Sequence, residues 1–145
     1  MNLVPLELGF RMVMHIWSNR LAGRERFPIV TMLEPLETCN LTCKGCGRIV
    51  EYRESVIEKK KMLSVDECLQ VVRESDSPVV SIAGGEPLIH PQMDEIVAGI
   101  IAMKKFVFVC TNGILMERGM AKIPPSKYFC WVVHLDGMAS AISMM

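Results

Sequence analysis

The sequence has no surplus of charge of either sign: sixteen lysines and arginines stand against sixteen aspartates and glutamates in 145 residues. A basic excess would suggest nucleic acid and an acidic tail a cationic partner, so neither class of partner is indicated. There is also no apolar run near the roughly 20 residues that a membrane-spanning helix needs. The first residues lack a secretory cleavage pattern, and Glu7 and Arg11 interrupt what would be a signal's apolar centre. A reducing, cytoplasmic setting is the expectation, in which six cysteines read as thiols or metal ligands rather than disulfides. The last absence is the most specific. "CNLTCKGCGR" packs Cys39, Cys43 and Cys46 into eight positions and supplies no fourth cysteine.

What is present is enough for one sizeable core, since half the residues are hydrophobic and the length fits a single domain. "FPIVTML" (27–33) is bulky on both faces, as a strand buried in a parallel sheet would be. The cysteine loop follows it, and then a charged stretch containing Lys59 to Lys61 that reads as solvated surface. "SVDECLQVVRES" opens with a capping box, Ser64 and Glu67, and carries an apolar stripe of Val65, Cys68, Leu69 and Val72. Cys68 falls in that stripe as a small core residue.

The pattern repeats. "PVVSIA" (78–83) reads as a strand, and "PQMDEIVAGIIAMKK" as a helix with Pro91 first, acidic at its start and basic at its end. "FVFVCT" is a third strand, "NGILMERGMAKI" a turn and short helix, and "FCWVVHLD" a fourth strand. This alternation predicts an α/β fold of about four β/α units around a parallel sheet. Ligands of such sheets gather at the carboxyl ends of the strands. The cysteines, Gly84-Gly85-Glu86-Pro87, Thr111-Asn112-Gly113 and His134-Leu135-Asp136 all follow strand ends, so four unusual segments are expected on one rim.

A four-iron, four-sulfide cubane held by three thiolates keeps one iron open, as catalytic zinc sites do by omitting a ligand. Gly45 and Gly47 would relieve crowding where backbone meets inorganic sulfide. A zinc site of three cysteines closed by His90 or His134 is the competing reading of the spacing alone. The glycine pair has two readings as well: a strand-ending turn with Glu86 exposed, or a surface whose backbone meets a ligand's ammonium group, with Glu86 adding charge or a fold contact.

Together, "CNLTCKGC", "GGEP" and "TNG" resemble the signature of radical S-adenosylmethionine (radical SAM) enzymes. The resemblance implies a partial barrel of six β/α units, a 4Fe-4S cluster on Cys39, Cys43 and Cys46, and S-adenosylmethionine chelated to the open iron. It also implies reductive cleavage to a 5′-deoxyadenosyl radical, with flavodoxin or ferredoxin as electron donor. Gly84, Gly85 and Glu86 would line the methionine end, and Asn112 and His134 would contact the cofactor. The family often has an aromatic residue before the third cysteine, where this chain has Gly45.

"FPIVTMLEPLETCNLTCKGCG", "LSVDECL", "PVVSIAGGEPLIHPQMDEIVAGIIAMKKFVFVCTNGILME" and "YFCWVVHLDG" cover most of 27–137. They resemble the hopanoid-biosynthesis branch, the adenosyl hopene transferases, which add that radical to a hopene double bond. Such an addition leaves a carbon radical in need of a hydrogen atom. Cys110, sharing a strand face with Phe106 and Phe108 at the end of the third strand, is the candidate thiol donor. Leu6, Phe10, Val13, Met14, Trp17 and Leu21 fall near helical spacing among basic residues. They suit either peripheral contact with an anionic membrane or packing on the barrel. Glu34 sits at the rim, and Cys130 reads as structural. The expected organisation is an amphipathic segment over 1–26, an incomplete core truncated at its C-terminus over 27–137, and an atypical tail over 138–145. A radical SAM enzyme with another substrate, a structural metal-binding module and an inactive fragment are the alternatives.

Overall fold

The computed structural model describes residues 6–46 and 62–135. The expectations for Gly47, for Lys59 to Lys61, for Asp136 and for the tail over 138–145 lie outside them. Its elements are α1 (Leu6–Leu21), β1 (Val30–Leu33), α2 (Val65–Glu74), β2 (Val79–Ile82), a 3-10 turn (Pro87–Ile89), α3 (Met93–Ala102), β3 (Phe106–Thr111), α4 (Met116–Lys122) and β4 (Phe129–Val133).

The strands pair in parallel in the order β1-β2-β3-β4. Leu33 stands beside Ile82, Ile82 beside Val109, and Thr111 beside Val133. Each strand thus neighbours its predecessor, with no switch of direction across the sheet. Right-handed crossovers then bring every connecting helix to the same face. The core lies there: Val80, Ile82, Val107 and Val109 pack under Cys68 and Val72 of α2 and Ile96, Val97 and Ile100 of α3. This is an open, partial α/β architecture: among the described residues, four parallel strands with helices following β1, β2 and β3.

Local chemistry fixes the helix starts. Ser64 accepts from the Glu67 amide at 3.3 Å while the Glu67 carboxyl accepts from the Ser64 amide at 2.7 Å, so the expected capping box closes α2. Pro91 does not begin α3. The helix starts at Met93, behind Gln92, and proline instead opens the preceding 3-10 turn at Pro87. At its other end α3 stops at Ala102, because Lys104 takes a positive φ of 57°. Lys104 and Lys105 therefore lie outside the helix. Lys105 reaches across to donate to the Val72 carbonyl at 2.8 Å.

β1 is shorter than the apolar run suggests and is buried on one side only. Leu33 is buried, while Met32 is 62% exposed. It occupies the sheet edge, and its outward residues face the side opposite α2 and α3.

That second face is covered at its base by α1. Leu8 and Met12 pack with Val79, Phe106, Phe108 and Tyr128. Beside them lies a polar clamp: Arg11 donates to the Lys104 carbonyl and to the Tyr128 hydroxyl, and Lys127 meets Glu7 at 3.0 Å. The Arg11 guanidinium also lies 5.2 Å from the Tyr128 ring centroid. The helix is held through these residues, and the stripe of Leu6, Phe10, Val13, Met14, Trp17 and Leu21 faces outward, every member at least half exposed.

Candidate functional site

Beyond β1 the chain does not leave the sheet at once. Pro35 and Leu36 stay buried, and residues after β2 run alongside them. Ala83 donates to the Leu33 carbonyl, Gly85 to Leu36 and Glu86 to Thr38, at 2.9, 3.1 and 2.9 Å. The approach is so close that side chains are excluded. A Cβ on Gly85 would stand 2.1 Å from the Thr38 carbonyl oxygen, and one on Gly84 2.6 Å from that of Leu36. Gly84 also has a φ of 109°, which L side chains rarely adopt. The pair therefore presses backbone to backbone against the entrance of the cysteine loop. The amides of Gly85 and Glu86 are both consumed in that contact; a ligand's ammonium group, itself a donor, would need carbonyl oxygens.

Glu86 is not the exposed residue of a simple strand-ending turn. It is 1% accessible. One carboxyl oxygen accepts from the Thr111 hydroxyl at 2.7 Å and the Leu88 amide at 3.1 Å; the other accepts from the Asn112 amide at 2.8 Å. Of the two roles open to it from sequence, the fold contact is the one its side chain fills. The carboxyl group ties the end of β2 to the end of β3.

Asn112 sits on that brace. Its side-chain oxygen accepts from the Ile114 amide at 3.0 Å, and its nitrogen donates to Asn40 at 2.7 Å and reaches the Cys39 sulfur at 3.9 Å. The expected convergence of the cysteine loop with the third strand end is therefore present as a hydrogen-bonded junction. Asn40 was not singled out from the sequence, where a loop asparagine looks like an ordinary turn residue.

Cys39 is exposed, and Cys43 and Cys46 are half-buried; Cys46 donates its amide to the Cys43 carbonyl at 3.1 Å. Among the described residues, no three histidine, cysteine or acidic side chains are gathered as a single ion requires. A cubane makes a different demand, one thiolate on each of three irons. Three unpaired thiols on one accessible loop, backed by glycine contacts that fix its entrance, fit that donor pattern.

His90 does not join them. It is buried, its Nε2 donates to the Leu63 carbonyl at 2.9 Å, and its Nδ1 accepts from the Gln92 amide at 3.2 Å. With both ring nitrogens engaged it ties the 3-10 turn to the start of α2. His134 is exposed just past β4, its amide bonded to the Thr111 carbonyl at 2.9 Å. Glu34 is exposed beside the loop entrance.

Cys110 lies on the sheet face opposite α2 and α3, half-buried, its sulfur 3.6 Å from the Ser81 hydroxyl. Ser81 went unremarked in the sequence. Its signal was a lone hydroxyl in an apolar strand, in register with Phe108. Cys68, in contrast, is fully buried, and desolvation pushes its thiol up to about 11. Cys130, read from the sequence as structural, is not buried. It is exposed on the same open face as Phe108, its register partner.

The fold recurs in solved structures. Streptococcus suis SuiB bound to S-adenosylmethionine superposes with a TM-score of 0.68 at 22% identity, over 89% of this chain and 30% of that one. The complex of SuiB with its precursor peptide SuiA gives 0.67. The sequence defines the class more narrowly. Residues 33–138 match the Radical SAM superfamily, and the chain belongs to it. Relatives include the antilisterial bacteriocin subtilosin biosynthesis protein AlbA of Bacillus subtilis, 28% identical over 81% of this chain and 26% of that protein. A probable GTP 3′,8-cyclase of Methanococcus maripaludis is 35% identical over 59% of this chain and 28% of the relative. The Fe-coproporphyrin III synthase of Methanosarcina barkeri is 26% identical over 80% and 29%. The chain thus spans little more than a quarter of the length of these relatives. Members of the superfamily are enzymes that use a 4Fe-4S cluster and S-adenosylmethionine.

Proposed function

We propose that this chain carries the cluster- and cofactor-binding part of a radical SAM transferase that adds an adenosyl group to a hopene such as diploptene. Cys39, Cys43 and Cys46 would hold the cluster, and Gly84 and Gly85 would offer backbone to the methionine end. Asn112 and His134 stand at the rim where the nucleoside would lie. When bound, the cluster and S-adenosylmethionine supply a 5′-deoxyadenosyl radical. The observation that carries the reading is Cys110, a half-buried thiol on the open sheet face beside Phe108 and two residues before Asn112.

Addition of that radical to the alkene would form one carbon–carbon bond at the expense of the π bond and would leave a carbon radical on the substrate. Cys110 gives that carbon its thiol hydrogen atom. The resulting thiyl takes one electron from a flavodoxin- or ferredoxin-like donor and one proton from water, restoring the thiol. The outward stripe of α1 supports peripheral contact with the inner face of a membrane, where a lipid substrate would be met; no described helix is long and apolar enough to cross one.

The relatives named above point to peptide, nucleotide and porphyrin chemistry in their own cases, so substrate is the point to test. The protein, reconstituted anaerobically, would be given diploptene vesicles, S-adenosylmethionine and reduced flavodoxin. The expected product is adenosylhopane, falling at least tenfold in Cys110→Ala. Undiminished saturated product from Cys110→Ala would reject the donor role, and 5′-deoxyadenosine released without any hopane adduct would reject the substrate.

A further inference from the structure

Every polar atom of the Asn112 side chain is assigned, and the assignment points its amide at a sulfur. The oxygen accepts from Ile114 at 3.0 Å, which leaves the nitrogen facing the cysteine loop. There it donates to Asn40 at 2.7 Å and approaches Cys39 at 3.9 Å. The Leu41 amide donates to the same sulfur at 3.4 Å. Behind Asn112, Glu86 holds its backbone amide at 2.8 Å and the neighbouring Thr111 hydroxyl at 2.7 Å.

We propose that Asn112 donates to the Cys39 thiolate when that sulfur ligates the cluster, and that buried Glu86 is a positioning residue that aims it. The pair would then set the cluster's reduction potential. This rests on the assignment of Cys39 as a cluster ligand, and not on the identity of the substrate. An N–H donor withdraws electron density from a ligand sulfur, which favours the more electron-rich reduced cluster and raises its potential. Such a role is separate from any contact with the nucleoside, because it operates with no S-adenosylmethionine present.

The test is a redox titration of the reconstituted protein without S-adenosylmethionine, followed by electron paramagnetic resonance, with iron and sulfide content matched. Asn112→Asp keeps the shape but sets an acceptor against the thiolate. At the wild-type midpoint it should hold about tenfold less reduced relative to oxidised cluster, a 59 mV fall for a one-electron couple. Asn112→Leu should fall in the same direction by less. Glu86→Asp, which keeps the carboxyl group but withdraws it by one carbon, should also lower the potential, but should add nothing on the Asn112→Leu background, since it acts through Asn112. A wild-type midpoint in loaded Asn112→Asp overturns the donor role. A Glu86→Asp shift that persists undiminished beside Asn112→Leu overturns the positioning role. Loss of iron from both Asn112 variants would make the residue a brace of the loop and overturn the tuning. Failure of the wild-type protein to take up iron and sulfide would instead overturn the cluster assignment beneath it.

Discussion

Gly85 and Thr38 are packed so tightly that a single added carbon on the glycine would stand 2.1 Å from the threonine's carbonyl oxygen. That contact joins the two segments the chemistry needs, the glycine motif after β2 and the entrance to the cysteine loop after β1. The obstacle is backbone, which cannot swing aside as a side-chain tip can.

Gly85→Ala should therefore displace the loop rather than be absorbed. Overpacking of this kind costs about 1–3 kcal/mol. Urea unfolding should show that loss, and iron uptake on reconstitution should fall with it. Gly99→Ala is the useful comparison: there a Cβ would meet the flexible Leu69 side chain, at 2.6 Å. It should cost stability while leaving iron uptake intact.

Removing the Glu86 side chain leaves three donors without their acceptor: the Thr111 hydroxyl and the amides of Leu88 and Asn112. Each buried donor that stays dry costs about 1–3 kcal/mol. Glu86→Ala should thus lower the denaturation midpoint well beyond Glu86→Gln, which retains one acceptor oxygen.

Five of the six cysteines should separate by readout. Single serine substitutions at Cys39, Cys43 and Cys46 should each lower iron and sulfide uptake, whereas Cys68→Ala and Cys130→Ser should not. Cys68 should resist alkylation at pH 8 until the protein unfolds, because burial favours its neutral thiol. The linkage sign follows. From about pH 9, the ordinary value, to about 11, the unfolded thiol has lost its proton while the folded one keeps it. Stability should fall across that window more steeply in the wild type than in Cys68→Ala, and thermal melts at pH 8 and 10.5 would compare them.

α1 offers the fourth test. Phe10 and Trp17 are 67% and 65% exposed, so Phe10→Glu and Trp17→Glu should leave the unfolding free energy within about 0.5 kcal/mol of wild type. Both should weaken sedimentation with anionic liposomes. Arg11→Met, which breaks the clamp to Lys104 and Tyr128, should do the reverse and lower stability first.

The sequence by itself determined the succession of strands and helices, because apolar periodicity and capping are local. Val107 and Val109 alternate with Phe108 whatever surrounds them, and Ser64 with Glu67 closes its helix within four residues. It also determined the family, since three cysteines in eight positions and a glycine pair after a strand are patterns of spacing. Tertiary structure alone decided which way things face. α1 turns its Glu7 and Arg11 toward the domain and its apolar stripe away, because partners for those charges wait at Lys127, Tyr128 and Lys104, more than ninety residues on. Glu86 is drawn inside by donors on the next strand, Cys130 is left outside, and Asn112 is brought to Cys39. Those outcomes depend on distances between segments far apart in the chain, which no local pattern encodes.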